Sequence, residues 1–362
     1  MEPEDRAWEV VRRAFEERQP VPHRTGRLAL ALVPALAAVV AVAALSPPGR
    51  AVFQRVREAV GVEHAASQLG ALPAPGRLLV VAPGRGGAWL VEASGLRRSL
   101  GAYDDVQWSP HGLFLVATRP DALVALDPRG KTRWVLPAAH PALPRWEGTR
   151  TDTRIAYLSA GGLRVVAGDG TGDRLLAPHV ARVSPAWDPA RLHTVAYVSG
   201  RAVVLRTADG KLVWRTKLAV APTGHSWSPD GRFLAVDGTH RIDVLDARGK
   251  LVHTVSLLGA ERLSAAFQPG THRLAVSIRL AHRREIRLVD LDRLGPEPLL
   301  FAGPGAVGDV AWSPDGAWLL VPWPTANQWL FVHGTHVRAV GNIRAQFGPA
   351  AQLGSRWCCA PR

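Results

Sequence analysis

The chain of 362 residues is almost without cysteine, lysine and methionine. Its two cysteines, Cys358 and Cys359, are adjacent near the C-terminus. A bond between neighbours demands strained geometry, so no disulfide framework is expected, and pairing between chains is the oxidising role left to them. Zinc sites built from spaced cysteine pairs are excluded as well. Only four of the 44 basic residues are lysines, Lys131, Lys211, Lys217 and Lys250. The net charge of +14 and the pI near 11.1 therefore come from arginine, abundant alongside Ala, Gly and Pro as a GC-biased genome produces. These arginines are scattered, in no run longer than two, and no RNA-binding signature accompanies them. Specific nucleic-acid recognition is not expected, whereas a diffuse attraction to anionic envelope polymers or lipid headgroups is.

What the chain has in quantity is one recurring stretch. Trp227-Ser-Pro-Asp-Gly-Arg-Phe-Leu-Ala-Val236 returns as Trp312-Ser-Pro-Asp-Gly-Ala-Trp-Leu-Leu-Val321 and as Trp108-Ser-Pro-His-Gly-Leu-Phe-Leu-Val-Ala117, with weaker copies starting at Trp146, Trp187, Phe267 and Phe347. A period of about 40 residues with four short strands per unit is the signature of a β-propeller. In the clearest unit the strands fall around 226–228, 232–237, 241–246 and 250–256, each an apolar or β-branched run closed by Gly, Pro or Asp. In the first turn Pro presets φ, Asp bonds the backbone two residues on, and Gly takes the positive φ. The stretches 77–82, 88–93 and 97–101 supply only three strands of a blade, so the fourth is expected from the C-terminus, around Asn342–Phe347. The fold class is all-β, a seven-bladed propeller closed by three N-terminal strands and one C-terminal strand, with six or eight blades as the alternative counts.

The Trp-Ser-Pro-Asp-Gly copies resemble the once-per-blade turn of the TolB-like and WD-type propeller families over about residues 77 to 347. Leu126–Trp134, Arg206–Trp214 and Leu245–His253 resemble the D-x-x-G-K-x-x-W stretch of quinoprotein-type repeats. That second resemblance implies blade docking, not cofactor binding. TolB's additional N-terminal domain and the hydrolase domain of propeller peptidases have no counterpart here.

No catalytic, cofactor-binding or metal-ligating residue is assigned. Gly224-His-Ser-Trp-Ser228 ends in Ser where a nucleophile elbow needs Gly. Gly84-Arg-Gly-Gly87 is a turn between strands, not a phosphate loop opening a helix. His333 and His336 can approach at a hairpin but lack further ligands. Asp169, Thr171 and Asp173 fall where the third strand of a blade turns into the fourth, and a Gly/Asp-rich hairpin accounts for them.

The first 76 residues are different in kind. Glu4 to Arg18 places Trp8, Val11 and Phe15 on one stripe of an amphipathic helix, suited to an interface or to gripping a cytosolic partner. Leu28 to Leu45 is eighteen residues without a polar side chain, long enough to cross a bilayer's hydrocarbon core. The preceding 27 residues carry six acidic groups, which argues for an uncleaved anchor over a signal peptide. Arg12, Arg13, Arg18, Arg24 and Arg27 precede the run and Arg50, Arg55 and Arg57 follow it. That asymmetry places the N-terminus in the cytoplasm and the propeller outside. The expected organisation is a cytosolic segment over 1–27, a transmembrane helix over 28–45, a juxtamembrane helix (Arg50–Val60) and linker over 46–76, the propeller over 77–348 and a tail over 349–362. The expected function is a non-catalytic, single-pass, membrane-anchored module binding a protein or an anionic envelope polymer. The alternatives are a signal-coupling regulator laid out like membrane-bound sigma regulators, and an enzyme with its site assembled at the channel mouth.

Overall fold

The computed structural model describes residues 68–359, apart from 83–86, 150, 257–261, 282, 294, 296 and 349–350. The amphipathic segment with Trp8, Val11 and Phe15, the Leu28–Leu45 run and the juxtamembrane helix lie outside the described residues. Among those described, no helix is long and apolar enough to cross a membrane.

Among the described residues, twenty-eight strands form seven four-stranded antiparallel sheets. Blades two to seven are each a meander of consecutive strands, with innermost strands Asp105–Trp108, Ala142–Trp146, Ala186–Trp187, Gly224–Trp227, Arg262–Phe267 and Ala311–Trp312. Blade one comprises Arg77–Ala82, Gly87–Val91 and Arg97–Gly101, with Gln352–Cys358 as its innermost member. The seven innermost strands contact one another in a closed circuit, so the sheets stand radially around an axis. Apolar residues of facing sheets fill the space between blades: Leu79, Leu90, Val106, Leu115 and Val124 form one such layer, Ala235, Val244, Leu274 and Val276 another.

The clearest unit has strands Gly224–Trp227, Phe233–Asp237, Arg241–Asp246 and Leu251–Ser256. The Ser-Pro-Asp-Gly turn works as its residue types require. Ser228 Oγ donates to Asp230 Oδ1 at 2.7 Å and accepts the Phe233 amide at 3.0 Å. Asp230 Oδ1 also accepts the Arg232 amide at 3.1 Å, while Gly231 sits at φ 72°. Ser313 and Ser109 accept the Trp318 and Phe114 amides in the same way, each at 2.9 Å.

The closing strand lies elsewhere than the sequence suggests. Asn342 adopts a left-handed conformation, φ 55° and ψ 32°, and Ile343–Phe347 is a short helix, not a strand. Phe347 is buried there, stacked on Trp329 with centroids 5.2 Å apart and edge-on to Trp89 at 6.3 Å. The strand that completes blade one is Gln352–Cys358, inside the stretch expected to be a tail. Its anchor is Trp357, opposite Leu78, as Trp108 is opposite Leu115 and Trp227 opposite Leu234. A second correction concerns the cysteines: Cys358 and Cys359 are bonded to each other. Cys359 has φ 48°, and this left-handed turn brings the adjacent side chains together.

Candidate functional site

In a four-stranded meander the turn joining the first and second strands and the turn joining the third and fourth emerge at the same end. All the Trp-Ser-Pro-Asp-Gly turns and all the Asp-x-x-Gly-Lys turns therefore crowd one rim of the ring. Each is built rigidly. Asp127 Oδ1 accepts the Arg129 and Lys131 amides, both at 2.9 Å, and Asp246 Oδ1 accepts those of Arg248 and Lys250, also at 2.9 Å. For Asp127 burial pushes the carboxyl up, but these amides and Arg133 outweigh it and hold the group below its ordinary range.

The same turns lock successive blades together. Trp134 Nε1 donates to Gly168 O of the next blade at 3.0 Å, and Trp214 Nε1 to Ala247 O at 3.2 Å. The Asp-x-x-Gly-Lys-x-x-Trp stretches thus dock blades, as their resemblance implies. Two histidines add hydrogen-bonded ties across the rim. His272 meets Asp230 of the preceding blade through Nε2 at 2.9 Å and Asp292 of its own blade through Nδ1 at 2.8 Å. Burial draws the His272 imidazolium down, yet both carboxylates together raise it above its ordinary value. Asp230 is correspondingly lowered to about 2: burial opposes this, and Ser228, His272 and the Arg232 amide override it. His193 makes the parallel contact, Nδ1 to the buried Glu147 at 2.9 Å and Nε2 to Asp152 at 3.1 Å. The sequence gives little warning of these bridges, since the partners lie one blade apart. The available signal was a histidine late in a weak copy of the turn, with an acid in the turn one blade upstream.

The chemistry these groups can perform is limited. In the chain Ser228, Asp230, His272, Asp292 the serine hydroxyl donates to a carboxylate and not to the imidazole, so no base is placed to activate it. Nearer the axis, Arg145 approaches Asp105 at 4.0 Å, and Gln107 donates to Asp105 at 3.4 Å. His225 donates through Nε2 to Ala196 O at 3.1 Å. Burial, reinforced by Arg145 and opposed by that hydrogen bond, brings His225 down to about 4. His333 and His336 face each other across their hairpin, both exposed, with His333 against Trp318. Asp169 is engaged by Thr171, and Asp173 by Tyr157 and Arg164, in the hairpin that the sequence implies. No group of three or more His, Cys, Asp or Glu among the described residues is arranged to hold a metal.

What the rim offers is a surface. Of the ten exposed large hydrophobic residues among those described, all but Val135 lie in these turns or within two residues of them. They fall on blades one to five. Leu192 is 73% and Leu113 61% exposed at the tips of the first turns; Leu212 with Val213 and Leu251 with Val252 open outer strands. Three of the four lysines, Lys131, Lys211 and Lys250, occupy the same turn position on blades two, four and five, and all three are exposed. Arg129 and Arg248 stand beside them, also exposed. Acids share the same turns, Asp169 on blade three, Asp209 on blade four, Asp230 on blade five and Asp292 on blade six, all exposed. The rim is therefore apolar over blades one to five, with the exposed lysines standing on blades two, four and five. Sequence reading passed over this because Lys-Leu-Val reads as an ordinary strand start; the clue is two adjacent apolar residues on an outermost strand, where one must face water.

No family model matches the chain, and no curated protein matches it. Solved structures do. The β-propeller domain of Cps50 (Swd1) from Myceliophteria thermophila is 14% identical with a TM-score of 0.53, over 67% of this chain and 86% of that one. A chain in a structure of the mitotic checkpoint complex is 14% identical with a TM-score of 0.55, over 77% and 83%. A functionally unknown protein from Desulfotomaculum acetoxidans is 12% identical with a TM-score of 0.59, over 79% and 100%. The likeness establishes the fold, a seven-bladed propeller with WD-repeat-like neighbours.

Proposed function

We propose that the protein is a non-catalytic binding scaffold that holds an acidic partner protein against the turn-bearing rim of blades one to five, and that the Leu28–Leu45 run tethers this ring to a membrane with the propeller outside. The observation that carries the reading is the gathering of exposed apolar side chains beside Lys131, Lys211 and Lys250 at one end of the ring. Apolar area supplies affinity, and the repeated lysines orient acidic groups of the partner. The ring beneath is stiffened by its inter-blade ties, so little ordering entropy is lost on docking. The likeness to a chain in a structure of the mitotic checkpoint complex supports a protein as the partner class.

The test is a triple charge reversal, Lys131→Glu, Lys211→Glu and Lys250→Glu. Detergent extracts of cells expressing the wild type should show the chain in a complex well above its own 38.9 kDa; the reversed protein should run as the free chain with an unchanged thermal midpoint. Complexes of the same size in both extracts would refute the rim as the docking surface.

A further inference from the structure

The seam between blades three and four is built differently from its neighbours. At the seams between blades two and three and between four and five, Trp134 and Trp214 reach the next blade's turn. The equivalent residue of blade three is Arg174, which donates to Ala208 O at 2.7 Å, the matching acceptor, but leaves the ring's volume unfilled. Blade three's outer strand is also short, Arg174–Ala177, against Thr132–Pro137 and Leu212–Lys217 beside it. A cleft of about 220 Å³ lies at this seam, lined by Leu176, Pro178, Tyr197, Val204 and Leu212 and by Arg206 and Arg215.

One of these arginines is out of pattern. Arg206 occupies the position that Leu126, Val166 and Leu245 hold in blades two, three and five, each of them fully buried. Its Nη1 donates to Gly210 O at 3.0 Å, but its Nε–H is sealed from solvent without an acceptor. No carboxylate lines the cleft. The nearby acids are engaged: Asp173 by Arg164 and Tyr157, and Asp209 by Thr207. A buried donor without an acceptor is costly to hold in a fold, and the exposed Arg215 adds a second cation at the cleft wall.

We infer that this cleft is a binding site for a carboxylate carried on a short apolar chain, the carboxylate meeting Arg206 and Arg215 and the chain lying on Leu176, Pro178 and Val204. Its volume suits a body the size of one or two side chains, below the range of drug-sized pockets. Planar guanidiniums favour a carboxylate's two oxygens. The site borders the rim and shares Leu212 with it, but its chemistry does not rest on the docking reading. Its ligand is either a free short-chain acid or the C-terminal residue of a peptide.

The experiment titrates the full chain with hexanoate, hexanamide, inorganic phosphate and a tripeptide ending in leucine with a free carboxylate, followed by ligand-observed NMR and calorimetry. Hexanoate should bind saturably and hexanamide should not. Arg206→Leu, which restores the residue type of the other blades, and Arg174→Trp, which restores the seam, should each leave the fold intact and weaken hexanoate by about tenfold or more. If Arg206→Leu fails to fold, Arg215→Ala on the exposed strand face gives the same readout. A peptide binding more tightly than hexanoate identifies a chain terminus as the source; equal or weaker peptide binding identifies a free acid. Absent hexanoate binding, equal binding of hexanamide, preference for phosphate, or binding untouched by the substitutions would each overturn the assignment.

Discussion

At the scale of single residues, the turns are held by a few polar atoms and by glycines that nothing else can replace. Gly249 has φ 80°, and a Cβ there would lie 2.6 Å from the Trp214 ring of the preceding blade. Gly249→Ala is therefore expected to cost ~1–3 kcal/mol from backbone strain alone, read from urea denaturation. The histidines make opposite contributions to pH dependence. His225 is lowered from 6.5 to about 4, so between those values the unfolded chain takes up a proton that the folded chain refuses, and stability falls as the pH drops through that window. His272 is raised, so its contribution is complete below its unfolded value and is lost as pH rises through its folded one. Thermal midpoints measured from pH 4 to pH 8 should lose part of their acid-side slope in His225→Gln and part of their alkaline-side slope in His272→Gln. The turn residues Ser228, Asp230 and Gly231 were legible in sequence because their bonds are local. The bridges of His193 and His272 were not, because each joins turns more than 40 residues apart.

At the scale of the element, the decisive piece is the closing strand. The sequence announces its need, since blade one lacks a member, but points to the wrong stretch. Phe347 begins a phrase that imitates the repeat, whereas Trp357 is followed by the cysteine pair where other blades have Ser-Pro. The structure chooses Trp357, which packs 5.6 Å from Phe331 of the last blade and pairs opposite Leu78 of the first. Spacing alone could not decide, because the helix Ile343–Phe347 and the turn after it are an insertion, and its own apolar face is buried against Trp89 and Trp329. Trp357→Ala should destabilise the ring by about 3–5 kcal/mol, measured by denaturant unfolding. Removing residues 352–362 should leave Arg77–Ala82 as an open edge and turn a monodisperse protein into oligomers by light scattering.

At the scale of the whole molecule, repetition explains both the fold and the surface. Seven copies of one hairpin logic put every Trp-Ser-Pro-Asp-Gly and Asp-x-x-Gly-Lys turn at one end, so a residue type repeated at one position becomes an arc on a rim. Lys131, Lys211 and Lys250 show this, and so do the apolar residues that follow two of them. The architecture was legible because periodicity survives weak copies. The rim was not, because exposure depends on which strand is outermost and which end a turn occupies, and neither is written in a single unit. In-cell photo-crosslinking from Leu212 and Leu251 on the rim, and from Arg201 and His240 at the opposite end, tests the central claim most directly. The account predicts one protein adduct shared by the two rim positions and lost in the triple lysine reversal, with none from Arg201 or His240. Adducts formed equally from both ends, or only from Arg201 and His240, would contradict it.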